Sequence, residues 1–391
     1  MVHFHNFPWQ LAVFLDKCAG YWPFHSWLRK LTLLVFHSLI AISIGLPQVN
    51  YWIRYTGDDN LVGLRCSLFF MFITSEFVKL LASTKYQNIR RRIYRRVVKN
   101  YCETVDAEEA KILRNSANQA FRLTVTYLVV CVIFSNVFIT MPLIRCCANY
   151  FFGDGQWNVA FPFDVDYGVE ANDYWLLVYL HYIVFAVSIV FTAAAFDLSF
   201  ILKIHHVCAL IKIVTLRLEK ASQISIELQC ENDELARAEV NSLLKDAIKL
   251  HVKSFEFISF IEDEYSLCLF FLLLMNAASF GGLIHVIFSN TSDLLESFRY
   301  LLVLIVVTLH FYVMFSQGQK IIDCTSEIFD ACYNCRWYYM SRKMRTMWLI
   351  ILMRSSKPCK LTGAKCFILC LETYSKMLKA GVSYYTVFEN Y

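Results

Sequence analysis

The chain has 391 residues and a formal net charge of +5; 57% of its residues are hydrophobic and only 18% are charged. Soluble domains carry about 25% charged residues, so an ordinary soluble globular protein is excluded, and the long apolar runs read as a polytopic all-α membrane protein. Glycine (12) and proline (6) are too scarce for turn-rich linkers or β architecture.

The first thirty residues place Phe4, Phe7, Trp9, Phe14, Trp22, Phe24 and Trp27 among polar groups. They lack a continuous apolar core ending at a small-residue cleavage site, so no cleavable signal peptide is expected. An amphipathic segment lying in the membrane interface fits this pattern. The first span is expected from Leu31 to Tyr55, kinked at Pro47, and the second from Leu61 to Ala82. The third starts after Arg122 and stops near Leu143, with Pro142 as its terminator. A loop rich in Gly, Asp and aromatics follows from Arg145 to Asp173, with Cys146 and Cys147 on it. The fourth span runs from Tyr174 to Ile201, the fifth from Tyr265 to Phe288 and the sixth from Phe298 to Phe315. Thr362 to Tyr391 supplies a polar seventh helix. No internal repeat is visible, which weighs against an inverted-repeat transporter.

Lys and Arg near span ends stay cytoplasmic. They crowd the connection between spans two and three (Arg90, Arg91, Arg92, Arg95, Arg96), between four and five (Lys203, Lys212, Arg217, Lys220), and between six and seven (Arg342, Lys343, Arg345, Arg354). The other side offers little beyond Arg54, Arg65, Arg145 and Arg299. This bias puts the N-terminus in the cytoplasm and the C-terminus outside. A G-protein-coupled receptor needs the reverse. The Asn290-Thr291-Ser292 glycosylation acceptor also falls on a predicted outer loop, close to the membrane.

The stretch from Lys203 to Glu264 is too long for a bare loop. Ile201, Ile204, Cys208, Ile211, Val214 and Leu218 recur at helical spacing, as do Leu243, Leu244, Ala247, Ile248 and His251. Spans four and five are therefore expected to continue into the cytosol as helices whose apolar stripes pack on partners.

The last helix carries Glu372, Lys376, Lys379 and Glu389, so it must face protein or water rather than lipid. Ser383, Val387 and Asn390 share one helical face. They suit a narrow aqueous path with Val387 as a dewetting gate; the plain alternative is a polar helix packed against its neighbours. The family resemblance carried by the motifs below implies a ligand pocket in the outer halves of the spans. Those halves hold Phe69, Phe70 and Ile73 in span two, and Ser135, Asn136 and Phe138 in span three. Spans four and five add Tyr179, His181, Tyr182, Asn276 and Phe280. Aromatic walls with a few polar groups suit a small apolar ligand, and ordinary helix packing or lipid contact is the competing role for each residue.

Cys332 and Cys335 form a lone C-x-x-C with no completing His or Cys spacing, so structural cysteines are expected and no metal site. The arginine run at 90–96 sits beside a span and reads as an anchor on anionic lipid, not a nucleic-acid patch. No G-x-S-x-G, Walker or H-E-x-x-H motif occurs, so no enzyme and no cofactor are expected.

The ordered set Trp337-Tyr338, Leu349 to Pro358, Leu361-Thr362-Gly363-Ala364 and Ser383-Tyr384-Tyr385-Thr386-Val387 resembles the insect odorant receptors, and more closely their odour-tuning subunits than the shared co-receptor. Weaker echoes are Phe161-Pro162-Phe163-Asp164 and Ile248-Lys249-Leu250-His251. Glu389 departs from the pattern, where an apolar residue is more usual. The resemblance implies a ligand-gated, non-selective cation channel in the plasma membrane of a sensory-neuron dendrite. Its tetramer of tuning subunits and co-receptor surrounds a central pore lined by the last helix. By motif, Val387 takes the gate position and Asn390 the polar pore position; Ser383 is added because it shares their face. Residues 1–317 then form the interfacial segment and six-helix bundle with its pocket, and residues 318–391 the cytosolic anchor and pore helix. A gustatory-type receptor channel and a metabotropic seven-helix receptor are the alternatives.

Overall fold

The computed structural model describes residues 7–55, 60–152, 159, 161–169, 173–227, 234–289 and 294–389, with backbone alone at 7, 60 and 384–389. The helices are α1 (Phe7–Cys18), α2 (Trp27–Tyr55), α3 (Asn60–Lys85), α4 (Gln87–Glu103), α5 (Ala107–Phe152), α6 (Trp175–Glu227), α7 (Glu234–Ser289), α8 (Leu294–Asn334), α9 (Arg342–Ser355) and α10 (Leu371–Glu389). Between α9 and α10 a small antiparallel hairpin pairs β1 (Thr362–Gly363) with β2 (Phe367–Ile368). Six helices among the described residues, α2, α3 and α5 to α8, are long and apolar enough to cross a membrane.

Helix length explains the two-zone build. At about 1.5 Å per residue, the 53 residues of α6 extend some 80 Å, against a hydrocarbon core of about 30 Å. The expected cytosolic continuation of spans four and five is what α6 and α7 show. In the outer zone the apolar windows present most of their surface outward, with only 17% of that of α5 buried. The inner zone has the inverse pattern. Every residue of α6 from Ala194 to Ile211 is buried, because neighbouring helices cover it on all sides. This stretch is the hub on which α1, α5, α7 and α8 pack.

A hub with that many neighbours still contains charge, and each charge needs a partner. Lys203 Nζ donates to both carboxylate oxygens of Glu264, at 2.7 and 2.9 Å. Arg90 Nε donates to the same carboxylate at 2.8 Å and Nη1 to the carbonyl of Tyr21. Tyr94 donates to Asp16 at 2.5 Å. One buried cluster thus ties α1, α4, α6 and α7 together at the inner boundary of the spans.

Trp9, Ala12 and Ala19 of α1 are fully buried, and α1 packs on α6. Several expectations are corrected. Span three does not stop at Pro142, and Cys146 and Cys147 are not on a loop. The helix runs on to Phe152 with Pro142 inside it, since a proline in a packed span costs one hydrogen bond that neighbours can replace. Thr362 to Tyr391 is not one helix. Ala364 and Lys365 take left-handed backbone angles and form the hairpin turn, held on α7 by Thr362 N–H donating to Glu262 at 2.8 Å and Ala364 N–H to the hydroxyl of Ser266 at 2.9 Å. α8 runs from Leu294 to Asn334, through residues 317 and 318. Gly318 is where the linker to α10 crosses it, and a Cβ there would lie 2.2 Å from the Leu369 carbonyl oxygen.

Candidate ligand cavity and terminal helix

In the outer zone α3, α5, α6, α7 and α8 line a cavity of about 280 Å³. A cavity of roughly 150 Å³ accommodates benzene, so this one admits a molecule about twice that size. Its outer end is aromatic. Phe163, from the loop before α6, projects between Phe69 (4.3 Å between ring centroids), Phe138 (5.3 Å) and Tyr182 (5.7 Å). Polar contacts hold the loop at Pro162, Phe163, Asp164 and Asp166. Arg299 donates to the Pro162 carbonyl at 2.7 Å, Tyr182 to that of Phe163 at 3.1 Å, Arg65 to Asp164 at 2.8 Å and Arg54 to Asp166 at 2.6 Å.

The inner end is polar. Glu76 and Lys79 pair at 2.8 Å, and Thr192 donates to the other Glu76 oxygen at 2.7 Å. Tyr127 donates to Asp197 at 2.7 Å, and its oxygen lies 2.6 Å from Nδ1 of His310. Asp197 is fully buried behind them. Beside Glu76 a second, much smaller cavity of about 20 Å³ is lined by His37, Ile73 and Ser188, room for about one water.

Of the residues expected to bind ligand, Phe69, Ser135, Phe138 and Tyr182 line the cavity, and Asn276 joins them. The structure does not bring Phe70, Ile73, Tyr179 or Phe280 to it. Phe70 is turned about 100° around α3 from Phe69 and lies 6.4 Å from Trp52 of α2. Ile73 borders the small cavity. Tyr179 sits nearly a turn outward of Tyr182, packed with Phe161, Cys146 and Val159. Phe280 faces α10, against Gly381. Asn136 is exposed and donates to Val132 O, while His181 contacts Ser43 and Tyr167. Sequence reading missed Phe163, Tyr127, Glu76, Lys79 and His310. Glu76, Lys79 and His310 left a signal, since ionisable groups inside apolar spans mark function. Phe163 left none, because only the loop's path brings it inward.

One face of α10 packs on α7 and α8. Tyr374 lies 5.9 Å from Tyr312 and 6.0 Å from Phe315. Met377 joins the core and Gly381 is buried. The other face, with Lys376, Lys379 and Ser383, is exposed. Lys376 pairs with Glu372 at 2.6 Å. Ser383 thus shares the outward face. Val387 belongs to the helix, but its side chain, like all of Asn390, lies outside the described residues.

In the inner zone α9 folds back on α8, with Ser341 as its N-cap and Trp348 donating to Cys332 O at 3.0 Å. Arg354 of α9 lies over Phe255 at 4.1 Å, and Phe255 packs on His251 of α7 at 4.4 Å. Burial, reinforced by Arg354, lowers the His251 pKa to about 4. Burial alone lowers His206 to about 3. Arg217 grips Glu109 through two hydrogen bonds, which raises the guanidinium pKa further. Among the described residues no group of His, Cys, Asp and Glu is arranged to hold a metal.

The 7tm Odorant receptor family model matches residues 64–382. Odorant receptor 67c of Drosophila melanogaster is 21% identical over 263 residues, 66% of this chain and 62% of that protein, so the match spans less than two thirds of that relative's length. The Odorant receptor coreceptor of Drosophila melanogaster is 31% identical over 70 residues, 18% of this chain and 14% of that one. Among solved structures, the insect olfactory receptor OR5 from Machilis hrabei in complex with eugenol superposes with a TM-score of 0.73 at 12% identity, covering 97% of both chains. At that identity the likeness is one of fold.

Proposed function

Because the chain belongs to the seven-transmembrane odorant receptor family, we propose that it is the odour-tuning subunit of a ligand-gated, non-selective cation channel in the plasma membrane of a sensory-neuron dendrite. The observation that carries this reading is the aromatic-walled cavity among five spans, set apart from α10. A small volatile molecule binds there, with Phe69, Ser135, Phe138 and Tyr182 in its walls. A ligand biases opening only by its differential affinity for the closed and open states. Phe280 links the two regions: it lies a turn from Asn276 of the cavity wall, and its ring abuts Gly381 of α10.

The partner is a co-receptor chain, and the assembly is a tetramer. Two surfaces support this. The outward face of α10 carries the exposed Lys376, Lys379 and Ser383, which suits a water-filled path. In that path Val387 is the gate and Asn390 the polar position beyond it. The anchor helix α9 leaves Ile350 (57%) and Met353 (74%) exposed, apolar surface at an aqueous depth that a neighbouring subunit covers.

The test is whole-cell current from cells expressing this chain with and without an insect odorant co-receptor, under a panel of volatiles. A fast cation current that needs both chains and survives G-protein blockade is expected. A response abolished by that blockade overturns the channel reading in favour of a metabotropic one.

A further inference from the structure

The fold divides the arginine run of α4. Arg90 is buried and bonded to Glu264, and Arg96 pairs with Glu256 at 3.0 Å. Arg91, Arg92 and Arg95 have no carboxylate partner among the described residues, and the turn between α1 and α2 packs beside them. Arg91 Nε donates to the Pro23 carbonyl at 2.8 Å, and Lys30 Nζ donates to the same oxygen at 3.2 Å. The Arg95 guanidinium lies over the Phe24 ring at 5.7 Å, and Lys17 of α1 lies over the Trp22 ring at 5.6 Å. The two rings are themselves in contact, with centroids 5.3 Å apart. Arg29 is exposed beside Lys30.

No acidic side chain balances this cluster. Residues 17–30 and 85–102 include no Asp or Glu. Asp16, just before Lys17, is fully buried and accepts from Tyr94. His25, within the turn, registers the resulting field: burial, then Arg29, Lys30 and Lys17, lower its pKa to about 4. Guanidinium and ammonium groups only donate. With Nε spent on Pro23, both Nη groups of Arg91 stay without a partner among the described residues, and so do the N–H groups of Arg92 and Arg95. The depth of the cluster follows from its neighbours. Trp27 and Leu28 are exposed and open α2, a helix long and apolar enough to cross a membrane. The turn therefore sits where hydrocarbon gives way to headgroups, on the cytoplasmic leaflet, which is the anionic one.

We infer that the α1–α2 turn and the outward face of α4 form a binding site for the phosphorylated headgroup of an inner-leaflet phosphoinositide, whose acyl chains run beside Trp27 and Leu28. Arg91 and Arg95, one helical turn apart, present guanidinium forks to the phosphate oxygens. Lys17, Arg29, Lys30 and Arg92 supply further positive charge. A zwitterionic headgroup such as phosphocholine brings its own cation into the cluster and is disfavoured.

The test is binding of a fluorescent, water-soluble dioctanoyl phosphatidylinositol bisphosphate to the detergent-solubilised full chain. Dioctanoyl phosphatidylcholine and inositol trisphosphate, which carries phosphates without the lipid, are measured beside it. The bisphosphate lipid is expected to bind more tightly than either. One Lys or Arg beside an anionic membrane lipid corresponds to about fivefold in Kd. Arg92→Gln with Arg95→Gln, both exposed, should therefore weaken binding about thirtyfold at an unchanged melting temperature. Arg342→Gln with Arg345→Gln removes the same charge from the exposed surface of α9 and should leave Kd where it was. Equal losses in the two double variants would overturn the site in favour of diffuse attraction. Phosphatidylcholine bound as tightly as the bisphosphate lipid would remove phosphate recognition. Inositol trisphosphate bound as tightly would make the ligand a soluble phosphate and overturn the lipid assignment. A cooperatively melting chain that binds none of the three would overturn the inference outright.

Discussion

Phe163 and Phe69 meet with their ring centroids 4.3 Å apart, one on a loop and the other nearly a hundred residues earlier on α3. The contact makes the loop a wall of the cavity. It exists because Arg65, Arg54 and Arg299 hold the loop from three different helices. Aromatic pairs contribute about 0.5–1.5 kcal/mol beyond burial, and Phe163 makes three. Phe163→Ala should therefore raise the half-maximal odorant concentration about tenfold or more, measured as dose–response curves at matched surface expression. Unchanged potency would show that the loop is not part of the binding wall.

The carboxylate of Glu264 serves two buried cations at once. Glu264→Ala leaves Arg90 and Lys203 buried and unpaired, and breaking a buried pair costs about 3–5 kcal/mol. Thermal unfolding of the detergent-solubilised chain should show a large loss of stability. Glu372→Ala, which breaks the exposed pair with Lys376, should leave the melting point where it was.

Acid should also destabilise the inner zone. His206 and His251 have pKa values lowered to about 3 and about 4 from the ordinary 6.5, so between those values the unfolded chain binds more protons than the folded one. Stability contributed by the neutral rings is intact above about pH 6.5 and falls as pH drops from there toward 4 and then 3. A melting curve series should show this decline, and His251→Phe should flatten the upper part of it. A melting temperature independent of pH across that window would refute the assignment.

Gly381 and Phe280 approach so closely that a Cβ on Gly381 would lie 2.2 Å from the Phe280 ring. Gly381→Ala must displace either that ring or α10. The expectation is altered gating, seen as a changed basal current or half-maximal concentration. Phe280→Ala in the same chain should reverse the change by vacating the space; additive effects of the two substitutions would argue against a shared contact.

Val387 follows the exposed Ser383 of α10 by four residues, about one helical turn. Val387→Ala removes apolar bulk from the proposed dewetting gate and should raise basal current or alter conductance. Gating and permeation indistinguishable from the unaltered chain would remove Val387 from that role.

By itself the sequence determined the elements that depend on local pattern. Apolar runs longer than the hydrocarbon core fixed six spans, and stripes such as Ile201, Ile204, Cys208 and Ile211 announced the cytosolic continuation of α6, because period and length are written along the chain. The charges Glu372, Lys376 and Lys379 set α10 apart from lipid for the same reason. What faces what was decided only in three dimensions. Phe70 and Ile73 lie beside Phe69 in sequence yet face α2 and a different cavity, since one residue along a helix is a turn of about 100°. Phe163 reaches the ligand wall through a loop whose course has no periodic signature. The hydrogen-bond order from Asp197 through Tyr127 to His310 joins α6, α5 and α8, residues up to 183 apart in the chain. Periodicity tells which residues leave the lipid, and packing alone tells which of them meet around the ligand.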